Sequence, residues 1–243
     1  MNLSRLKLDL FPIQNLIEEF DASRIQRLFV IGDLHGCYDE LMNELYTLNF
    51  NFNKDLVISV GDLVDRGKDS RKCLELVKEF WFKAIRGNHE QMCLEAELSH
   101  EMREFHIKHG GEWLYKLSLK EQKECLNLCL NLPIVLEVKF HDKKIGFVHA
   151  DINLNNWRHF KEAIQRVDYF IDNSSSVLQS ALWGRGRIMQ KNKDRYIKKI
   201  IGIDEVYLGH TVVEQPVQIQ NCFYIDTGVV FGKKLTVIEL SHV

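Results

Sequence analysis

From residue 27 onward, short unbroken apolar runs alternate with stretches whose apolar positions recur every three or four residues. Arg27–Ile31 carries four apolar residues in succession and stops at Gly32. That pattern predicts a strand buried on both faces. Asp55–Val60 and Phe82–Ile85 repeat it, each followed within two residues by a glycine. Between them, Tyr38–Leu48 places Leu41, Met42, Leu45 and Leu48 at helical spacing, and Ser70–Phe80 does the same with Cys73, Leu74, Leu76 and Val77. A third helix is predicted from just after Gly87 to about Glu97. Strands alternating with helices predict βαβ units and parallel pairing.

The second half is patterned differently. Val135–Phe140 and Lys144–His149 are apolar runs separated only by His141, Asp142 and Lys143, which predicts a hairpin. Val206–Leu208, Val217–Gln220, Phe223–Ile225 and Leu235–Leu240 read as further short strands. Residues 99–132 and 152–200 read as helical or loop-like without a clear register. The expected fold is α/β, with two mixed β-sheets stacked as a sandwich and flanked by helices. No internal repeat or linker-like cluster interrupts the chain, and Pro12, Pro133 and Pro216 are scattered. Residues 27–243 are therefore read as one domain and 1–26 as an N-terminal extension. In that extension Leu3, Leu6, Leu10, Ile13, Leu16, Ile17 and Phe20 form an apolar stripe, and Pro12 confines any helix to the part after it. The stripe either packs on the domain's own surface or serves as a docking helix for a partner.

Composition narrows the class. Over 243 residues, 45% are hydrophobic and 27% charged, which provides ample core for a folded globular chain. A net charge of −2 argues against a nucleic-acid partner bound through a broad basic field. No run is apolar for long enough to span a bilayer, and Arg5, Lys7, Asp9, Glu18 and Glu19 break up any signal-peptide core. A cytoplasmic location with no membrane partner is expected. Cys37, Cys73, Cys93, Cys125, Cys129 and Cys222 are then read as reduced thiols packed like small hydrophobes.

Polar residues follow the apolar runs in a recurrent way. The successive strand ends carry Gly32-Asp33-Leu34-His35-Gly36, then Gly61-Asp62-Leu63-Val64-Asp65-Arg66-Gly67, then Arg86-Gly87-Asn88-His89-Glu90. His149-Ala150-Asp151 and Gly209-His210-Thr211 follow two later strands. Strand ends of open α/β sheets are where ligands bind. Each motif alone has a plainer reading: Asp33 and His35 as a turn and a surface histidine, His149 and His210 as satisfied core histidines. Together they offer two Asp, one Asn and three His. A nitrogen and oxygen set without thiolate suits manganese, iron or zinc better than calcium or a sulfur-bound structural zinc.

In order and spacing these motifs resemble the phosphoprotein phosphatase branch of the calcineurin-like metallophosphoesterases, and within it the small phage and bacterial enzymes of the lambda phosphatase type. The resemblance runs through Phe147–Asp151, Leu208–Thr211 and Tyr224–Gly228 and covers roughly residues 28–240. It implies a protein serine/threonine phosphatase with a binuclear centre of two divalent metal ions, manganese first. A hydroxide bridging the two ions would attack the phosphomonoester directly. Asp33 and His35 would bind one ion, Asp62 both, and Asn88, His149 and His210 the other. His89 would be the general acid and Asp65 its orienting partner. Arg66, Arg86 and Arg185 would hold the substrate phosphate, with Arg187 as a competitor for the last role. The implied partner is a phosphorylated protein or peptide. Cys37, one residue past Gly36, is either a buried small residue or an oxidant-sensitive thiol. A related activity on the same fold, symmetrical hydrolysis of dinucleoside polyphosphates or of another small phosphoester, is the alternative; Asp65-Arg66 favours the protein phosphatase. A catalytically silent scaffold is the third reading, and the complete ligand set speaks against it.

Overall fold

A computed structural model describes residues 15–167, 176–190 and 197–240. Ten strands are described: β1 (Ile17–Asp21), β2 (Leu28–Ile31), β3 (Leu56–Ser59), β4 (Phe82–Ala84), β5 (Val135–Phe140), β6 (Lys143–Val148), β7 (Glu205–Leu208), β8 (Val217–Ile219), β9 (Cys222–Tyr224) and β10 (Val237–Leu240). They form a four-stranded sheet in the order β10-β2-β3-β4 and a six-stranded sheet in the order β1-β5-β6-β7-β9-β8. Both sheets are mixed: β2, β3 and β4 run parallel with β10 reversed, and β6, β7 and β9 run parallel with β5 and β8 reversed.

The apolar runs explain this arrangement. Alternate residues of one strand point to opposite faces. Leu28 and Val30 of β2, with Leu56 and Ile58 of β3, pack against Leu136, Val138, Ile145 and Phe147 of the other sheet, and form the sandwich core. Phe29, Ile31, Val57 and Phe82 point the other way, onto Leu41, Leu45, Leu74 and Cys129 of the covering helices. The outer face of the larger sheet is covered by Trp157, Phe160, Ile164, Ala181 and Leu182. Burying each such aliphatic or aromatic side chain contributes about 1.5–3 kcal/mol. The hairpin forms as predicted, with Phe140 opposite Lys143, so Lys143 belongs to the second strand and the turn is two residues long.

Three features are sharper in the structure than in the sequence. The predicted helix Ser70–Phe80 is a helix over Ser70–Glu75 continued by a tighter turn over Leu76–Lys78. Residues 99–132 resolve into helices His100–His106, Glu112–Tyr115 and Leu119–Asn131, the last started by a capping box between Ser118 and Glu121. A π-type turn over Ile107–Gly111 joins the first two. Of the two readings of the N-terminal stripe, its described part follows packing on the domain itself and not a docking helix: Ile17–Asp21 is a strand, paired parallel to β5 at the edge of the larger sheet. Residues 1–14 of that stripe lie outside the described residues. No helix among the described residues is long and apolar enough to cross a membrane.

Candidate active site

The turns that follow β2, β3, β4, β6 and β7 converge on one buried cluster. Asp33, His35, Asp62, His149 and His210 come from these turns, Asn88 and His89 open the helix Asn88–Glu95 that follows the third, and none of the seven is more than 9% exposed. The turns are unusually tight. His35, Asp62, Asp65, Arg66 and His210 all have φ between +45° and +72°. A non-glycine residue there costs roughly 1–2 kcal/mol, which the surrounding bonds must offset. Glu90 supplies four of them: Oε1 accepts the N–H of Leu63 and Val64, and Oε2 those of Asp62 and Gly87. A Cβ at Gly87 would collide with Asp62 Oδ1, and one at Gly209 with Asp33 Oδ1. Only glycine lets the chain pass so close to these carboxylates.

Asp62 sits at the centre. Its Oδ2 lies 3.5 Å from His35 Nε2, 3.4 Å from His149 Nε2 and 4.0 Å from His89 Nε2. His35 Nδ1 bonds the Val64 carbonyl and His149 Nδ1 the Val60 carbonyl, both at 2.8 Å. Each ring is thereby oriented with Nε2 facing the cluster. Asn88 Oδ1 lies 2.9 Å from His149 Nε2 and 2.8 Å from His210 Nδ1. The N–H of His210 donates to Asp33. Burial, then the charges of Asp226 and Asp62, pushes the Asp33 carboxyl well above the usual carboxylate range. Burial lowers His35 to about 3, and burial together with His149 and Arg185 lowers His210 to about 3. Both rings are therefore neutral, as metal ligation requires.

This donor set fits a cation. Three carboxylates are buried here: burial and the charges of Asp226 and Asp62 raise Asp33, burial and Asp62 raise Asp226, and Asp62 itself, against its burial, is held well below the carboxylate range by His149, His89 and His35. His210 Nε2 is buried without a hydrogen-bond partner. His35, Asp62 and His89 bring ligand atoms within 4.8 Å of one another, as do Asp62, His149 and His210. A divalent ion is the natural counter-charge for such a cluster.

His89 and Asp65 form a buried pair beside it. His89 Nδ1 lies 2.7 Å from Asp65 Oδ2, and the His89 N–H donates to Asp62 Oδ1. Burial alone would raise Asp65, but bonds from His106 and His89 outweigh it and hold the carboxyl below its ordinary value. The ring nitrogen facing an ionised carboxylate must carry the proton, which leaves His89 Nε2 directed at the cluster.

The arginines separate sharply. Arg66 is exposed, its guanidinium donates to His35 Nε2 and it lies over the Phe231 ring. Arg185 is also exposed, with its charge felt at His210. Arg187, the competitor, is buried and donates to Lys198 O, Ile152 O and Asn155 Oδ1, so Arg185 is the one left facing the site. The reading of Arg86 as a phosphate ligand is corrected. Its side chain is fully buried and Nη2 donates to the carbonyls of Leu130 and Leu132, at the carboxyl end of the helix Leu119–Asn131. Nη1 reaches Gln91 Oε1 at 3.4 Å, so the contacts of this guanidinium serve the core. The oxidant-sensitive reading of Cys37 also loses support: burial, with Glu40 and Asp69, pushes its thiol up to about 11. All six cysteines are free and buried.

Four side chains that matter to this geometry were not singled out from sequence. Glu90 and Asp226 stood inside quoted motifs without a role. His106 and Trp113 stood in an unplaced stretch, where the paired Gly110-Gly111 was the available signal.

Comparison with known proteins identifies the family. The family model described as calcineurin-like phosphoesterase matches residues 26–214. Serine/threonine-protein phosphatase 1 of Salmonella typhimurium is 36% identical over 94% of this chain and 98% of its own. Serine/threonine-protein phosphatase 2 of the same organism is 32% identical over 86% of this chain and 91% of its own. An asymmetrical bis(5'-nucleosyl)-tetraphosphatase of Oceanobacillus iheyensis is 30% identical over 86% of this chain and 87% of its own. Among solved structures, a protein serine/threonine phosphatase from Saccharomyces cerevisiae aligns with a TM-score of 0.59 at 18% identity, covering 92% of this chain and 74% of its own.

Proposed function

The chain belongs to the calcineurin-like phosphoesterase family and is a phosphatase, and from that premise we propose that it hydrolyses phosphoserine and phosphothreonine monoesters of proteins. The observation that carries the reading is Asp62, held between His35 and His149 with the His89–Asp65 pair alongside. Asp33 and His35 would hold one divalent ion, Asp62 both, and Asn88, His149 and His210 the second. Nitrogen and oxygen donors of this kind suit manganese, with iron or zinc compatible. When bound, the ions supply neutralisation of the phosphate dianion and an acidified water as nucleophile. Arg66 and Arg185 would grip phosphate oxygens with their planar donor forks. His89, protonated at Nε2, would donate to the departing serine or threonine oxygen, and Asp65 would hold the ring for that transfer. General-acid help of this type is worth roughly 10²–10⁴-fold. The catalytic unit is residues 27–243, with β1 docked on its edge.

The test is phosphate release by metal-stripped protein before and after manganese is restored, on a phosphothreonine peptide and on diadenosine tetraphosphate. Asp62→Asn and His89→Asn serve as controls. Peptide turnover that returns with manganese and is lost in both variants is the expected result. The 30% identical tetraphosphatase relative favours a second reading, dinucleoside polyphosphate hydrolysis, and that relative is named for asymmetrical cleavage where the motifs here suggested the symmetrical kind. Turnover of the dinucleotide alone would establish that reading in place of the first.

A further inference from the structure

The Asp65 carboxylate has more partners than the one histidine assigned to it. Trp113 Nε1 donates to Oδ1 at 2.7 Å. His106 Nε2 lies 3.1 Å from Oδ1 and 3.0 Å from Oδ2. His106 is fully buried, and its Nδ1 lies 2.8 Å from Tyr115 Oη. These contacts fix the proton positions. An ionised carboxylate only accepts, so His106 Nε2 carries a hydrogen, and Nδ1 is left to pair with the Tyr115 hydroxyl. Asp65 thus accepts from His106 and from His89, both of which reach Oδ2, and His106 is backed at Nδ1 by the Tyr115 hydroxyl.

The backbone around these rings is shaped for this contact. The helix His100–His106 does not continue directly into Glu112–Tyr115; it opens into the π-type turn, where Gly110 has φ +103°. Turns of this kind inside helices gather at functional sites. A Cβ at Gly111 would strike the His106 ring, so glycine is required for the turn to fold back over it. The same turn reaches the site directly, since the Gly110 carbonyl accepts the Arg66 N–H. Cys93 Sγ lies 3.5 Å from His106 Nε2, and Asp65, Cys93 and His106 bring ligand atoms within 4.8 Å of one another. Three ring N–H groups already fill the carboxylate, which makes the cluster a hydrogen-bond clamp rather than an ion site.

We propose that His106 is a positioning residue for the proton donor His89, acting with Trp113 and Tyr115 by clamping the Asp65 carboxylate in the plane that holds the His89 ring. The proposal rests on the assignment of His89 as the acid for the leaving oxygen. Three donors on one carboxylate fix both of its oxygens. With only His89 bound, the carboxylate could rotate about its Cβ–Cγ bond and carry the His89 ring off line. The clamp thus matters most when the leaving oxygen needs a proton and least when it departs readily as an anion.

That difference provides the measurement. His106→Asn, Trp113→Phe and Tyr115→Phe are compared with the parent on a phosphothreonine peptide and on p-nitrophenyl phosphate, with manganese content measured in each. The expected result for His106→Asn is a fall in kcat of roughly ten- to a hundredfold on the peptide, the usual cost of losing a supporting hydrogen bond at a metal enzyme. KM and metal content stay unchanged, and the p-nitrophenyl ester loses only a small part of that factor. Trp113→Phe and Tyr115→Phe show the same bias at smaller size, and they decide the matter if His106→Asn does not fold. Equal losses on both esters, losses that track metal content, or no loss at all would overturn the positioning role. His89→Asn separates the two layers. No leaving-group bias there sinks the acid assignment itself, whereas a bias in His89→Asn that is missing from the clamp variants sinks only this proposal.

Discussion

Arg66 and Arg86 occur in successive strand-end motifs and carry the same fork of donors, yet their surroundings give them different work. Arg66 stands exposed over Phe231 with its guanidinium turned to the cluster. Arg86 is sealed in the core, bonded to the carbonyls of Leu130 and Leu132. Arg66→Ala should therefore lose phosphatase activity with little change in unfolding temperature. Arg86→Ala should destabilise the fold by about 1–3 kcal/mol for each carbonyl left unpaired. Paired thermal melts and kinetics of the two variants check this; an Arg86→Ala protein that keeps its melting temperature while losing activity would restore Arg86 to the phosphate. Glu90 makes a second case. Its two oxygens answer four backbone N–H groups, three of them, Asp62, Leu63 and Val64, in the turn after β3. Glu90→Gln keeps the shape but leaves a single acceptor oxygen, so metal affinity should fall by about ten- to a hundredfold. A manganese titration followed by calorimetry would show it.

At the scale of elements, two pieces outside the strand-end motifs support the site. The helix Leu119–Asn131 provides the carbonyl of Leu130 and the buried Cys125 and Cys129, and its first turn depends on the Ser118–Glu121 capping box. Ser118→Ala should cost about 1 kcal/mol with kcat unchanged, read as a shift in urea midpoint. A fall in kcat matching the fall in stability would mean that the helix end is coupled to the site more directly than Arg86 implies. Strand β1 covers the edge of β5, with Ile17 buried opposite Val135. Ile17→Asp should remove about 1.5–3 kcal/mol of burial and raise hydrogen exchange at the amides of β5. Unchanged protection there would show that β1 is dispensable. The capping box and the strand-end glycines are local signals readable in sequence. The strand identity of β1 was not, because its partner β5 lies more than a hundred residues away and five residues with a mixed polar pattern suit either element.

For the molecule as a whole, the buried carboxylates set a link between metal and stability. In the metal-stripped fold, burial and the neighbouring charges of Asp226 and Asp62 raise the cost of ionising Asp33, and burial and Asp62 raise that of Asp226. A bound ion reverses that cost, and manganese at 100 times its Kd should add about 2.7 kcal/mol. Asp226→Asn removes one of the three charges and keeps an acceptor for the Gly228 N–H. The stripped variant should melt a few degrees above the stripped parent, since about 1 kcal/mol moves a chain of this size by roughly 2–4 °C. An equal or lower melting temperature would show that the charges do not repel as inferred. What the sequence alone determined was the set of apolar runs, the two stacked sheets they imply, and the donors that follow each strand. Those follow from local periodicity and from the rule that a strand's end is where its polar residues are released. Only the tertiary structure decided that Arg86 is spent on a helix end, that Arg185 rather than Arg187 faces the cluster, and that His106 and Trp113 close on Asp65. Each of those outcomes depends on where a distant segment packs, 41 residues away for His106 and 48 for Trp113, and a side chain's type and spacing carry no record of the partner that packing brings to it.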